Sequence, residues 1–284
     1  MNSADYCHDQ NVLCETDWVE RNLNNTEIKI LEVDYDVDNA YNVGHIPGAD
    51  IINWKIDIND EIRRDIINKH QFESLMSKLG ISKDDVLVLY GDFYNWFAAF
   101  AFWVFKYYGH NKIKLINGGR KKWELENRSY TTKKPFHSTS NYISTPPNQG
   151  LRAYLHDIKR SLEKNETILV DVRSVKEYQG EISTPPEYPM EQAQRSGHIP
   201  TAINIPWIQS LKEDGTFKNK KDLEKLYLDH GITPDKEIIS YCRIGERSSH
   251  TWFVLKYLLG YPSVRNYDGS WAEWGNMVGN PVEK

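Results

Sequence analysis

An internal repeat constrains this 284-residue chain more than any other feature. The segment Gly44-His45-Ile46-Pro47 returns as Gly197-His198-Ile199-Pro200. Four further identities recur at a constant spacing of 151 residues: Tyr90 with Tyr241, Gly109 with Gly260, Gly118 with Gly269, and Trp123 with Trp274. Self-similarity of this kind marks a duplicated unit, and the length suits two domains of ordinary size. Upstream, Glu32-Val33-Asp34 answers Leu169-Val170-Asp171 at a spacing of 137, whereas the His-Ile-Pro segments stand 153 apart, so the second copy holds 16 extra residues. These fall within 181–196, whose three prolines read as a surface loop. Between the copies, 131–150 is rich in Ser, Thr, Asn and Pro and lacks an apolar period, as a linker does. The expected division is a first domain over 1–135, a linker over 136–150 and a second domain over 151–284.

Short apolar runs at 28–33, 86–90, 168–171, 238–241 and 264–267 predict buried strands. Longer stretches at 95–108, 222–230 and 248–259 predict helices. Strands alternating with helices imply an α/β fold in each copy, a mostly parallel sheet flanked by helices.

Composition removes several classes. With 39% hydrophobic and 26% charged residues the chain is a globular domain pair, and its longest apolar run, 96–105, is half of the roughly 20 residues a membrane span needs. Residues 1–10 are polar with no basic region leading into an apolar one, so no secretory leader is expected and a cytoplasmic location is. A net charge of −5 argues against nucleic acid or a membrane as partner. The three cysteines, Cys7, Cys14 and Cys242, are too few and too scattered for a disulfide framework or a metal site, and no cofactor is expected. Cys7 and Cys14 lie in a polar stretch without basic neighbours and read as incidental.

Cys242 is different. It follows a predicted strand and precedes a predicted helix, at the carboxyl edge where open α/β sheets bind ligands. The loop Cys242-Arg243-Ile244-Gly245-Glu246-Arg247 reverses direction in six residues, with Gly245 free to take a left-handed angle. Its N–H groups, with the N-terminus of a helix starting near Ser248, would form an anion-binding nest. Arg243 and Arg247 add charge, and such surroundings are expected to lower a thiol's pKa so that no separate base is needed. Glu246 would oppose that chemistry if turned inward, and is expected to face outward.

The loop continued as C-R-I-G-E-R-S-S, the paired G-H-I-P segments, Asp171-Val172-Arg173 and Y-D-G-S-W at 267–271 resemble the tandem-domain rhodaneses over nearly the whole chain, in the form of the bacterial and archaeal thiosulfate sulfurtransferases. The resemblance implies two rhodanese-like domains, of which the first is catalytically silent, since Gly91 or Asp92 stands where the second has Cys242. It implies a Cys242 persulfide formed from thiosulfate and discharged to a thiophile such as cyanide, with no metal or cofactor. Arg247 then acts with Cys242 in catalysis, while Arg173, Arg243, Ile244, Gly245, Glu246 and Ser248 bind the small anionic donor. Relatives using 3-mercaptopyruvate commonly carry an arginine where this chain has Glu177, which favours thiosulfate.

Other readings stay open. Cysteine-based phosphatases and arsenate reductases also use a Cys-to-Arg loop, but with one residue more between the two. A sulfur carrier or binding module is a non-enzymatic possibility, and the chain could be a monomer or a homodimer. His45 and His198 could suggest acid–base work, but the motif persists in the copy without a nucleophile, so a structural role is expected for both.

Overall fold

In a computed structural model describing residues 12–164, 166–184 and 193–284, the predicted apolar runs become parallel strands in two separate sheets. One compact unit contains the described residues up to Asn148 together with Glu213–Phe217, and the other contains Gln149–Lys212 and Lys218–Lys284. The strands are β1 (Leu13–Cys14), β2 (Ile28–Asp34), β3 (Asp50–Asn53), β4 (Asn59–Asp60), β5 (Asp65–Ile66), β6 (Val86–Tyr90) and β7 (Ile113–Ile116) in the first unit. Those of the second are β8 (Thr167–Asp171), β9 (Ile203–Asn204), β10 (Glu237–Tyr241) and β11 (Val264–Tyr267).

The first sheet runs β1-β7-β6-β2-β3 with every pair parallel, and β4 and β5 form a small antiparallel ribbon apart from it. The helix Lys69–Lys78 opens with a capping box, in which the Asn68 side chain accepts from the Gln71 amide and the Gln71 side chain accepts from the Asn68 amide. The stretch read as a linker is tied to this helix: the Ser140 amide donates to Ser77 O at 2.9 Å, and the Ser144 amide donates to Glu73 Oε1 at 2.8 Å. The apolar helix predicted at 95–108 spans Asp92–Tyr107 and buries almost every side chain after Trp96, as its lack of a polar face requires. Its first turn is irregular, because Phe93, Tyr94 and Asn95 have φ of 45°, 57° and 68°.

The second sheet runs β11-β10-β8-β9, again all parallel. Tyr241 lies opposite Asp171 on one side and Tyr267 on the other, so β10 is central. After β8 the chain goes to β9 on one flank and then returns to β10 on the other, which puts a topological switch point at the carboxyl ends of β8 and β10. The predicted helix 248–259 starts earlier, as an α-helix over Glu246–Phe253 continued by a π-helical turn over Val254–Leu258.

The repeat extends to single hydrogen bonds. The Tyr90 hydroxyl accepts from the Ile46 amide at 2.9 Å, and the Tyr241 hydroxyl accepts from the Ile199 amide at 3.1 Å. His45 stacks on Tyr41 and His198 on Tyr178, each imidazole Nδ1 bonding the carbonyl of the tyrosine it covers at 2.9 and 2.8 Å. Both histidines therefore fix turns. Cys14 lies on β1 in the core, donates to Leu115 O, and burial pushes its thiol up to about 12. Cys7 is outside the described residues, as are 185–192 of the predicted proline loop. No helix among the described residues is long and apolar enough to cross a membrane.

Tyr241→Phe keeps the ring but leaves the buried Ile199 amide without its acceptor, which is expected to cost about 1–3 kcal/mol. Urea unfolding checks this; a loss below about 0.5 kcal/mol, the range of an ordinary surface change, would contradict the assigned role.

Candidate active site

The loop is built by the end of β10 and held by the segment after β11. Gly245 has φ of 102°, which lets the chain turn directly from Cys242 into a helix whose first residue is Glu246. That start, two residues before the expected one, brings the helix N-terminus over the sulfur, and the Gly245 amide donates to Cys242 Sγ at 3.2 Å. The Cys242 amide donates to Ser270 Oγ at 3.1 Å, the Trp271 amide to Cys242 O at 3.1 Å, and the Ala272 amide to Arg243 O at 2.9 Å. Beneath the helix, Asn266 accepts from the Ser248 hydroxyl at 2.6 Å and donates to Ser249 Oγ at 2.9 Å. The Y-D-G-S-W segment is thus a clamp for the loop rather than a second reactive group.

All the predicted loop residues are buried, with Cys242 at 0% exposure and Glu246 at 1%. The expectation for Glu246 is overturned. Its side chain faces inward, and Cys242 Sγ donates to Glu246 Oε2 at 3.3 Å. The expectation of a lowered thiol pKa is overturned with it: burial pushes the Cys242 thiol up and Glu246 pushes the same way, while Arg247 and the amide and hydroxyl of Ser248 pull it back. Summing the basic residues in the loop omitted both the cost of removing a thiolate from water and the acid beside it.

The arginines have partners of their own. Arg247 Nη1 and Nη2 donate to the two Glu177 oxygens at 3.0 and 3.1 Å, and Arg247 Nε stands 3.5 Å from Glu246 Oε1. Burial opposes ionisation of Glu177, but Arg247, and behind it Arg173, outweigh burial and hold the carboxyl at about 2. Arg243 Nη1 donates to Thr184 Oγ1 at 2.8 Å. Arg173 is fully buried, paired with Asp171 through Nε and Nη2, bonded to Gly197 O at 2.7 Å, and stacked 4.6 Å over Trp271. The structure therefore gathers Cys242, Gly245, Glu246, Arg247 and Ser248 at the sulfur, with Arg173 paired to the end of β8 and Arg243 turned toward Thr184.

Sequence reasoning missed Glu177 as the partner of Arg247. One signal was available: Ser174 and Glu177 have capping-box spacing, and Glu177 Oε2 accepts from the Ser174 amide at 3.0 Å. Nothing in the spacing points across the 70 residues to Arg247. The corresponding loop of the first unit differs in kind. A Cβ on Gly91 would stand 2.1 Å from Val33 O, so no side chain fits there without movement. Asp92 accepts from the Tyr35 and Asp36 amides, and burial together with Asp34 pushes its carboxyl up to about 8.

A parallel α/β unit delivers Cys242 from its central strand into a helix-capped loop at the switch point, where open α/β sheets bind ligands. The chain belongs to the rhodanese family, matching the rhodanese-like domain over residues 15–126 and again over 155–277, and is a sulfurtransferase of that family. It is 51% identical over 282 residues to the sulfur carrier protein TtuD of Thermus thermophilus, covering 98% of each chain. It is 47% identical to a protein of Haloferax volcanii named "Putative thiosulfate sulfurtransferase", covering 100% of this chain and 99% of that one. Among solved structures, it superposes with a TM-score of 0.88 and 25% identity on a persulfide-bearing variant of EanB in a tetrahedral intermediate state with ergothioneine, covering 100% of this chain and 73% of the other. The anaerobic ergothioneine biosynthesis enzyme of Chlorobium limicola, at 24% identity and a TM-score of 0.85, shares the fold over 96% of this chain and 70% of its own.

Arg247→Ala would leave the Glu177 carboxylate buried and unpaired, and is expected to destabilise the second unit by about 3–5 kcal/mol. Pairing Arg247→Met with Glu177→Gln removes both charges and should restore most of that loss. Thermal unfolding of the single and double variants checks it; equal losses in both would contradict the dependence on Glu177.

Proposed function

We propose that the chain transfers the outer sulfur of thiosulfate, by way of a Cys242 persulfide, to a small thiophile such as cyanide. The observation that carries this reading is the sulfur of Cys242 held under the N-terminus of the helix Glu246–Phe253 with the Gly245 amide donated to it at 3.2 Å. A thiolate there attacks the outer sulfur, the S–S bond of the donor breaks, and its electron pair leaves with sulfite. The thiophile then attacks the outer sulfur of the persulfide and the electron pair returns to Cys242.

The charges of the donor and of departing sulfite need oriented donors. Loop amides, Ser248 and Arg247, which act on the sulfur of Cys242, would supply such donors, with Gly245 and Ile244 shaping the loop. Arg173 keeps one buried guanidinium nitrogen, Nη1, without a hydrogen-bond partner among the described residues, which favours it as a donor to the anion. Arg243 and Glu246 complete the site, although Glu246 as an anion cannot itself attract a dianion. The first unit is silent on this reading, because Gly91 has neither a thiol nor space for one.

The relative named a sulfur carrier favours a second reading, in which the same persulfide is handed to a protein thiol rather than to a small molecule. Intact-mass and peptide analysis after incubation with thiosulfate is expected to show one added sulfur on Cys242, absent in Cys242→Ser, and cyanide should then yield thiocyanate over many turnovers with ping-pong kinetics. Sulfur uptake without turnover would favour the carrier. No uptake at Cys242, or rapid hydrolysis of an aryl phosphate instead, would refute the sulfurtransfer reading.

A further inference from the structure

A nucleophile sealed from solvent must lose its proton to something within reach. Cys242 is fully buried, and the group its Sγ–H meets is Glu246 Oε2 at 3.3 Å, itself almost wholly buried. We propose that Glu246 is the proton acceptor for Cys242, so that the thiolate forms by internal transfer from Sγ to Oε2 when the sulfur donor binds. The inference rests on the sulfurtransfer reading above and assigns the residue that activates its nucleophile.

The surroundings of the pair argue for this. From the same helix, Arg247 Nε stands 3.5 Å from Glu246 Oε1, and the amide and hydroxyl of Ser248 favour charge on the sulfur. From the segment after β11, Ser270 Oγ accepts from the Cys242 amide and so faces the loop's backbone. From the helix Val175–Tyr178, Glu177 occupies both terminal nitrogens of Arg247, and Arg173 is neutralised by Asp171. Arg243, on the loop itself, donates to Thr184. With Cys242 as a thiol, one guanidinium therefore lies between two carboxylates. Losing the thiol proton to solvent would place a second anion next to Glu246, which electrostatics resists. Moving the proton onto Glu246 keeps the total charge fixed and shifts the negative charge to the sulfur under the helix N-terminus. It also turns an acid that would repel a dianion into a hydrogen-bond donor. Burial and Glu246 together keep the proton on sulfur at rest.

The cycle balances without exchange of protons with water. The Sγ–H proton passes to Glu246; the thiolate takes the outer sulfur as the S–S bond of thiosulfate breaks and its electron pair leaves with sulfite; Glu246 stays protonated beside the persulfide anion. When the thiophile removes the outer sulfur, the electron pair returns to Sγ and the proton follows from Glu246.

The test uses the full chain carrying Glu246→Gln, which keeps the shape and removes the base. Rapid-quench persulfide formation on Cys242 from thiosulfate is expected to fall about 100-fold near neutrality, and to recover as pH rises because hydroxide then takes the proton. Glu246→Asp should restore part of the rate at neutral pH. Persulfide formation in the Gln variant as fast as, or faster than, in the wild type near neutrality would overturn the proposal, since Glu246 would then only restrain the thiol. On the wild type, whose folding is not at issue, infrared difference spectra on adding thiosulfate should show a carboxylic-acid C=O band; its absence while the persulfide forms would also overturn it. A wild-type chain that takes up no sulfur refutes the underlying reading, a result distinct from either.

Discussion

The pocket around Cys242 depends on the pairing of Arg247 with Glu177. A guanidinium or a carboxylate buried alone is prohibitive, and a buried pair persists only where geometry and further hydrogen bonds satisfy both partners. Here Arg247 is 5% exposed and Glu177 not at all, their contact is bidentate, and Glu177 also caps the helix Val175–Tyr178 through Ser174. The pair thereby ties the end of β8 to the helix that starts over the sulfur. It also fixes a cation against Glu246, which shares that guanidinium with Glu177. Depth and reactivity would otherwise be in conflict, because the burial that shields a persulfide from water also holds the parent thiol in its neutral form.

Duplication followed by divergence explains why two similar units differ in chemistry. Both retain the Tyr-to-Ile amide bond, the stacked His and Tyr, and a parallel sheet of the same core order. These features concern turns and packing, and each unit needs them to fold. The loop after the central strand was free to change. In the first unit it closes on itself: the strand-end carbonyl of Val33 approaches Gly91, and Asp92 and Asp34 take up neighbouring amides. In the second it carries a thiol and is braced by Asn266 through Ser248 and by Ser270 and Trp271 through the backbone of Cys242.

Much of this was legible in the sequence because it is local. The strands at 86–90 and 264–267 match β6 and β11, and Gly245 between a strand and a helix announces the left-handed turn that is observed. The fold class followed from the same alternation, and Cys242 stood out by its position at a strand end. What stayed hidden is contact between distant segments and the direction of a side chain. Glu246 was read from the charge of its neighbours and assigned to the surface, yet a helix that starts two residues early turns it onto the thiol. Arg173 and Arg243 were read as binding the anionic donor, and sequence does not reveal that Asp171 folds back on the one or that Thr184 meets the other. The place of Cys14 in the core was also hidden, because two residues are too short a run to announce a strand.

The central claim is that the Cys242 thiol of this rhodanese-family enzyme ionises by passing its proton to Glu246 within the pocket. Calorimetry of persulfide formation, run in buffers of differing ionisation enthalpy at a pH where thiosulfate and sulfite are both dianions, measures it directly. The account predicts a heat independent of the buffer, because the proton leaving Cys242 remains in the protein. Release of one proton per persulfide formed would contradict it.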